Sequence, residues 1–189
     1  VLGVASSLGG KEWRARLADA RLGMALAQRL GVPEIVGRLM AGRGVDLDGS
    51  EAFLNPSLRA SLTDPSRLLD MDRAAERIAS AIMGGEGIAV FGDYDVDGAT
   101  SAALLHRFFA AVGMPPRLYV PDRMKEGYGP NAPALVELAR KGAKVVITVD
   151  CGITAFEPLE QAAEAGLDVI VVDHHVAEPR LPRAFAVVN

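Results

Sequence analysis

The chain has 189 residues, half of them hydrophobic and 23% charged, which allows a buried core and excludes a disordered or fibrous polymer. Its apolar runs are shorter than the roughly 18 to 20 residues that cross a bilayer, and the N-terminus lacks a secretory signal, so we expect a cytoplasmic protein. The net charge of −4 gives no sign of a nucleic-acid partner, because phosphate binding is usually accompanied by excess Lys and Arg.

The first third of the chain is predicted to be helical. Apolar residues at helical spacing favour a helix over Leu17–Leu30, which Gly31 and Pro33 would end. A second short helix would form its apolar face from Ile35, Val36, Leu39 and Met40. We expect residues 1–66 to form a helical N-terminal extension and residues 67–189 to form a second domain that is incomplete at its C-terminus.

From residue 88 onward, short apolar runs alternate with amphipathic stretches, which is the pattern of a parallel sheet built from βαβ units. The predicted strands are Ile88–Phe91, Arg117–Val120, Lys144–Val149, Asp168–Val172 and Ala184–Val188. The predicted helices are Met71–Met83, Ala99–Val112, Asn131–Lys141 and Ala155–Ala165. The fold class is therefore α/β, with a parallel sheet flanked by helices, and its ligands are expected at the carboxyl ends of the strands.

Acidic and histidine side chains follow three of the predicted strands. Because the carboxyl ends of parallel strands meet at one edge of a sheet, these side chains should converge there: Asp93, Asp95, Asp97, Asp150, Asp173, His174 and His175. Carboxylates suit Mg²⁺, and carboxylates together with neutral imidazole suit Mn²⁺. Like charges at this density raise one another's pKa unless cations neutralise them, so we predict a site for two Mn²⁺ or Mg²⁺ ions.

The spacing of the first acidic group indicates phosphoryl chemistry. In an extended segment alternate residues point the same way, so Asp93, Asp95 and Asp97 can face one cavity. The following helix should begin near four residues whose N–H groups would bind phosphate, namely Gly98, Ala99, Thr100 and Ser101. A calcium loop of the EF-hand type is excluded, because its twelfth position requires Glu and Leu104 stands there.

Two further residues lie near the predicted site. Lys125, in the loop after the second strand, is a candidate phosphate contact, and a solvated charged loop is the alternative that stays open. Cys151 is interpreted as a small residue packed beside the site, because the sequence offers it no partner base. Any one of the acidic residues could be a helix cap or a loop residue, and only their agreement over three strand ends favours a metal site.

Four motifs resemble segments of one superfamily. The run Asp173–His175 is similar to the motif that gives the DHH phosphoesterase superfamily its name. Residues 91–101 resemble the first motif of the RecJ branch, the single-strand-specific exonucleases, and residues 126–131 and 148–152 are similar to RecJ segments in the same order. The chain therefore resembles the N-terminal part of a RecJ protein, which implies a Rossmann-like DHH domain.

The resemblance implies a metal-dependent exonuclease of DNA repair and recombination, which hydrolyses single-stranded DNA from 5′ to 3′ and releases nucleoside 5′-monophosphates. Single-stranded DNA would be the partner, with a single-strand-binding protein and a helicase as further partners, and no membrane. Two alternatives stay open: another DHH hydrolase, such as an oligoribonuclease or a pyrophosphatase, and a non-catalytic scaffold of this fold. A scaffold would be expected to have lost metal ligands.

The resemblance also implies roles for the side chains that match family motifs. The metal ligands would be Asp95, Asp97, Asp150, as a bridge between two ions, and His174. Catalysis would depend on Asp150, His174 and His175, the last beside the scissile phosphate. Asp93 would join the metal ligands or the groups that surround them. Some relatives carry a ligating His at the position of Phe91, so one metal position would be either weaker here or completed by Asp93. A fourth motif, another Asp, would lie beyond Asn189, so the chain alone is expected to be inactive.

Overall fold

The computed structural model describes residues 3–14, 16 and 20–189, and the chain divides into two compact units, Val1–Thr63 and Asp64–Asn189. The domain boundary expected after residue 66 stays a prediction, and the compact units divide three residues earlier. Within the described ranges, none of the helices is both long enough and apolar enough to span a membrane.

The first unit is helical, with α1 at Ala20–Leu30, α2 at Glu34–Gly42, α3 at Ser50–Leu54 and α4 at Leu58–Ser61. The predicted start of the first helix at Leu17 lies outside the described residues. Leu26 of α1 and Met40 of α2 are buried together, whereas Ile35 and Leu39 are exposed, so the apolar face predicted for α2 is only partly buried. A Cβ at Gly37 would lie 2.1 Å from a carbonyl oxygen of α1, so a glycine is required where these helices cross.

The second unit contains a five-stranded parallel sheet with the strand order β2-β1-β3-β4-β5. The strands are β1 at Gly87–Gly92, β2 at Arg117–Tyr119, β3 at Ala143–Val149, β4 at Asp168–Val172 and β5 at Ala186–Val188. The central strands are buried on both faces, which explains their continuous apolar sequences. The predicted α/β class and parallel sheet are confirmed.

Helices cover both faces of this sheet. After a 3₁₀ turn at Pro65–Arg67, they are α5 at Met71–Gly84, α6 at Val96–Ala111, α7 at Arg123–Glu126, α8 at Ala132–Arg140 and α9 at Phe156–Glu164. Ile88 and Val90 of β1 pack in one core cluster with α5 and α6, and Ala89 and Phe91 pack in another with α8 and α9. The alternation along β1 therefore divides the core into two layers.

Two element boundaries in the second unit differ from the predicted ones by more than one residue. Helix α6 begins at Val96, three residues before the predicted start, because the side chain of Asp95 accepts a hydrogen bond from the N–H of Gly98 and caps the helix. Strand β5 begins at Ala186 rather than Ala184, since the N–H of Ala184 donates to Pro182 in a turn.

Candidate metal centre

Side chains from three strand ends meet at the carboxyl edge of the sheet. Two groups of three residues have ligand atoms within 4.8 Å of one another: Asp93, Asp95 and Asp150 in one, and Asp150, His174 and His175 in the other. The first group joins the ends of β1 and β3, and the second joins the ends of β3 and β4. Asp150 belongs to both groups and lies between two positions that could each hold a cation.

The burial of two carboxylates tests whether cations fit this arrangement. Asp93 and Asp150 are only 3% and 6% exposed. Asp93 Oδ1 and Asp150 Oδ2 have no hydrogen-bond partner among the described residues. A buried charged oxygen without a partner is strongly unfavourable, so both carboxylates require a cation or a proton. Oxygen and imidazole ligands suit Mn²⁺, and the residues present therefore fit a divalent metal.

Asp150 is held in an unusual backbone conformation. Its φ of 61° lies in the left-handed region, which costs a non-glycine residue about 1–2 kcal/mol. Its N–H donates to the carbonyl oxygen of Val172 at 3.0 Å, and its Oδ1 lies 3.0 Å from His174 Nε2. Burial and the neighbouring Asp95 carboxylate raise the pKa of Asp150, whereas the N–H of Gly98 lowers the pKa of Asp95. Bound cations would favour the ionised form of both groups.

Asp173 organises the two histidines and lies in neither ligand group. Its Oδ2 accepts a hydrogen bond from the N–H of Ile153 at 3.0 Å, and its Oδ1 accepts from the N–H groups of His174 and His175 at 2.8 and 3.2 Å. The same Oδ1 lies 2.7 Å from His175 Nδ1. Burial favours a higher pKa for Asp173, but these hydrogen bonds outweigh it and leave the pKa below its usual value.

The contact with Asp173 also sets the state of His175. It raises the pKa of the imidazole above its ordinary value and orients Nδ1 toward the carboxylate. Since Nδ1 is engaged, Nε2 is the nitrogen left for another group. The position of Asp173 differs from the expectation that its carboxylate would converge with the other four at a cation, because backbone N–H groups already surround it.

The segment from Asp93 to Asp97 is not the extended segment that was predicted, in which alternate side chains point the same way. Asp97 lies in the first turn of α6 rather than on an extended segment, and it is exposed. It lines a cavity of about 320 Å³ together with Ser101, Asp150 and His174, but it belongs to neither ligand group. The structure brings ligand atoms of Asp93 and Asp95 close to Asp150, and the role of Asp97 as a further metal ligand stays a prediction.

The residues expected to bind phosphate at the start of α6 are partly engaged in other contacts. The N–H of Gly98 donates to Asp95 Oδ1 at 3.0 Å, and the N–H of Ala99 donates to the Asp95 carbonyl at 2.9 Å. Thr100 Oγ1 donates to the Val96 carbonyl at 2.7 Å. The phosphate-binding role of Gly98, Ala99 and Thr100 stays a prediction that these hydrogen bonds oppose, and Ser101 lines the cavity beside Asp150.

Lys125 is not among the residues that line the cavity beside Asp150. Its Nζ is 3.1 Å from Asp122 Oδ2, and the side chain is 82% exposed. It lines a different cavity, of about 480 Å³, with Tyr119, Glu126 and Asn131. Its phosphate contact stays a prediction.

Cys151 and Phe91 have packing roles beside the site. Cys151 is fully buried with its Sγ 3.4 Å from the Val149 carbonyl, and burial raises the pKa of its thiol. The ring of Phe91 is fully buried and stacks on Tyr119 with 5.1 Å between centroids. An aromatic hydrocarbon ring cannot ligate a metal, whereas Asp93, which follows β1, has a carboxylate oxygen within 4.8 Å of ligand atoms of Asp95 and Asp150.

Tyr128 touches the site and was not among the candidate site residues. Its hydroxyl donates to the Asp150 carbonyl at 3.1 Å and lies 3.4 Å from His175 Nδ1. Burial and the charge of Asp173 raise the pKa of this phenol, so it remains a hydrogen-bond donor. The residue lies in the segment 126–131 that resembles a family motif, but the spacing alone did not indicate a contact with Asp150.

Comparisons with known proteins agree with this geometry. A family model described as the DHH family, N-terminal domain, matches residues 87–189. The chain is 37% identical to the single-stranded-DNA-specific exonuclease RecJ of Bacillus subtilis over 177 residues, which is 94% of the chain and 22% of that protein. It is 36% identical to the RecJ of Escherichia coli over 159 residues, 84% of the chain and 27% of that protein. The chain thus spans about a quarter of these relatives.

Solved structures similar to the chain contain manganese. One is RecJ in complex with Mn²⁺ from Thermus thermophilus, with a TM-score of 0.66 and 29% identity over 91% of the chain and 24% of that structure. Another is an exonuclease RecJ bound to manganese, with a TM-score of 0.59 and 38% identity over 64% of the chain and 31% of that structure. Since the family match covers more than half of its residues, this chain belongs to the DHH family.

Proposed function

We propose that the protein containing this chain is a metal-dependent exonuclease, which hydrolyses single-stranded DNA from 5′ to 3′ and releases nucleoside 5′-monophosphates. The observation that carries the proposal is the pair of ligand groups that share Asp150, with buried carboxylate oxygens that lack a hydrogen-bond partner among the described residues. The similarity to single-stranded-DNA-specific exonucleases supports the substrate and the exonuclease reaction. The polarity and a role in DNA repair and recombination are part of the proposal. We further propose a cytoplasmic setting, with a single-strand-binding protein and a helicase as partners.

The residues that would hold the metal are Asp93, Asp95, Asp150 and His174. When bound, divalent ions supply Lewis-acid activation of the phosphodiester and of a water nucleophile. Asp150 would serve both ligand groups, because its carboxylate belongs to each. Asp97 is kept as a further proposed metal ligand, because it lines the same cavity as Asp150 and His174.

The protein itself contributes orientation and charge. Asp173 fixes His175 through Nδ1, which leaves Nε2 free to donate to a phosphate oxygen. The same hydrogen bond raises the pKa of His175 above its ordinary value. His174 lies against Asp150 with its side chain 70% exposed, so it remains accessible from the cavity.

The experiment is a nuclease assay of the full-length protein on a labelled single-stranded oligonucleotide with Mn²⁺. We expect Asp150→Ala to reduce the rate by at least about 100-fold, because it removes the ligand that both groups share. Asp48→Ala is the matched control, since this carboxylate is 98% exposed and belongs to neither ligand group. Activity retained by Asp150→Ala would exclude the proposed metal role.

The same assay decides between the proposed reaction and its alternatives. Oligonucleotides blocked at either end test the polarity, and an RNA of the same sequence and inorganic pyrophosphate test the other DHH hydrolases. Degradation of a 3′-blocked DNA, with none of a 5′-blocked DNA, is the expected result. A full-length protein that binds Mn²⁺ but hydrolyses none of these substrates would favour the non-catalytic scaffold.

A further inference from the structure

We propose that Tyr128 is a positioning residue that holds the Asp150 peptide, and through it the carboxylate that both ligand groups share. The inference rests on the proposed metal-dependent function and deepens it. Tyr128 donates its hydroxyl to the Asp150 carbonyl at 3.1 Å across 22 positions of the sequence. The residue is 52% exposed, so it is not present simply to fill the core.

The backbone of Asp150 needs such a restraint. Its left-handed φ of 61° is unfavourable for a residue with a side chain and persists only where neighbouring groups hold it. The sheet holds one side of the residue, because the Asp150 N–H donates to the Val172 carbonyl at the end of β4. The hydroxyl of Tyr128 holds the other side through the carbonyl oxygen. Both backbone polar groups of Asp150 are therefore anchored.

The position of the Asp150 carboxylate depends on this peptide. Its Oδ1 faces His174 and its Oδ2 is buried without a hydrogen-bond partner in the described part of the chain. A peptide released at the carbonyl can rotate and carry the carboxylate away from one ligand group or the other. Binding sites lose performance when ligands move by more than about 0.5 Å, so a small rotation is enough to weaken metal binding.

Tyr128 also contacts His175, which follows the end of β4. Its hydroxyl lies 3.4 Å from His175 Nδ1, and the two rings meet edge to face with 6.0 Å between centroids. The glycines on either side, Gly127 and Gly129, have φ values of 79° and 77°, in the left-handed region that other residues rarely adopt. Two glycine turns therefore present this side chain to Asp150 and His175.

The test compares Mn²⁺ binding and nuclease kinetics of the full-length protein with those of Tyr128→Phe. The ring is retained in this variant and only the hydroxyl is lost. We expect Mn²⁺ to bind about tenfold more weakly, because groups that orient metal ligands typically contribute that much. At saturating Mn²⁺, kcat should fall while the KM for single-stranded DNA stays close to that of the wild type.

Tyr119→Phe is the matched control. Like Tyr128→Phe, it removes a tyrosine hydroxyl that donates a hydrogen bond, in this case to Glu126 at 2.5 Å, in the segment before α8. Unlike Tyr128→Phe, it leaves the hydrogen bond to the Asp150 carbonyl intact. Its Mn²⁺ affinity should remain within about threefold of the wild type. An equal loss in both variants would assign the effect to a loosened segment and would overturn the proposal.

Further outcomes separate this inference from the proposed function. If the wild type binds no Mn²⁺, the proposed function itself fails. If the wild type binds Mn²⁺ and Tyr128→Phe binds it equally well, the positioning role fails while the function stands. Tyr128→Leu, which also lacks the ring, should lose as much Mn²⁺ affinity as Tyr128→Phe. A loss confined to Tyr128→Leu, or a rise in KM without a change in Mn²⁺ affinity, would assign Tyr128 to stacking on DNA and refute the proposal.

Discussion

Replacing Asp173 with Asn should destabilise the protein by an amount that its hydrogen bonds define. The native Oδ2 accepts from the N–H of Ile153, and Oδ1 accepts from the N–H groups of His174 and His175. An Asn side chain offers one acceptor oxygen and one NH₂ donor. The better orientation keeps the oxygen toward the two histidines and turns the NH₂ toward Ile153, where two donors then face each other.

The magnitude follows from the burial of this site. Asp173 is 8% exposed, so the N–H of Ile153 has no access to replacement water and its loss of an acceptor costs about 2 kcal/mol. The bonds to the histidine N–H groups lose the charge of the carboxylate, which we take as about 1 kcal/mol more. We therefore expect the free energy of unfolding to fall by about 3 kcal/mol, which lowers the melting temperature by about 6–12 °C.

Urea denaturation at pH 7 measures this change, with Asp48→Asn as the matched control because that carboxylate is 98% exposed. Titration with Mn²⁺ should also show weaker binding, since His174 and His175 lose the group that orients them although Asp173 is in neither ligand group. A loss of less than 1 kcal/mol would show that Asp173 does not organise this loop and that our reasoning is wrong.

Two further predictions concern the neighbourhood of the site. Hydrogen bonds to the Glu126 carboxylate, the strongest of them from Tyr119, hold its pKa below the usual value of 4.5. The ionised carboxylate therefore stabilises the folded protein above about pH 4.5, and this stabilisation is lost as the pH falls through the lower pKa of the folded state. Glu126→Gln should therefore melt below the wild type at pH 7, by a margin that shrinks toward pH 3, and a margin independent of pH would contradict this. A Cβ at Gly98 would lie 2.4 Å from the Asp93 carbonyl oxygen, so Gly98→Ala should cost about 1–3 kcal/mol and weaken Mn²⁺ binding. The control Gly42→Ala, where a Cβ meets open space, should do neither, and equal stability of the two variants would refute the argument.

The fold could be predicted well because its signals are local. Strand β4 was predicted with its observed ends, and β1 and β3 were each predicted to within one residue, since strands buried on both faces have continuous apolar sequences. The start of α6 was predicted three residues late. There the decisive contact is the Asp95 carboxylate on the N–H of Gly98, and a run of alternating acids is equally compatible with an extended segment.

The candidate site could be predicted in its residue types but not in its grouping. Asp97 was expected beside Asp95 because alternate residues of a strand share a face, and the early start of α6 removes Asp97 from that face. Asp173 was expected at a cation, but the N–H groups around its carboxylate come from Ile153 and from the turn that follows β4. The position of Asp97 depends on the local cap that Asp95 forms on α6, whereas the contact between Ile153 and Asp173 has no sequence signal because it depends on how two segments pack.

By itself, the sequence determined that carboxylates and imidazoles follow three parallel strands, and it therefore determined the edge of the sheet that carries the site. This was possible because hydrophobic periodicity is a local property and parallel strands all end on the same side. Only the tertiary structure decided which atoms come within 4.8 Å, that Asp150 is shared and left-handed, and that Tyr128 reaches its carbonyl. These contacts join segments about 20 or more residues apart, and their geometry depends on side-chain directions that a linear pattern does not contain.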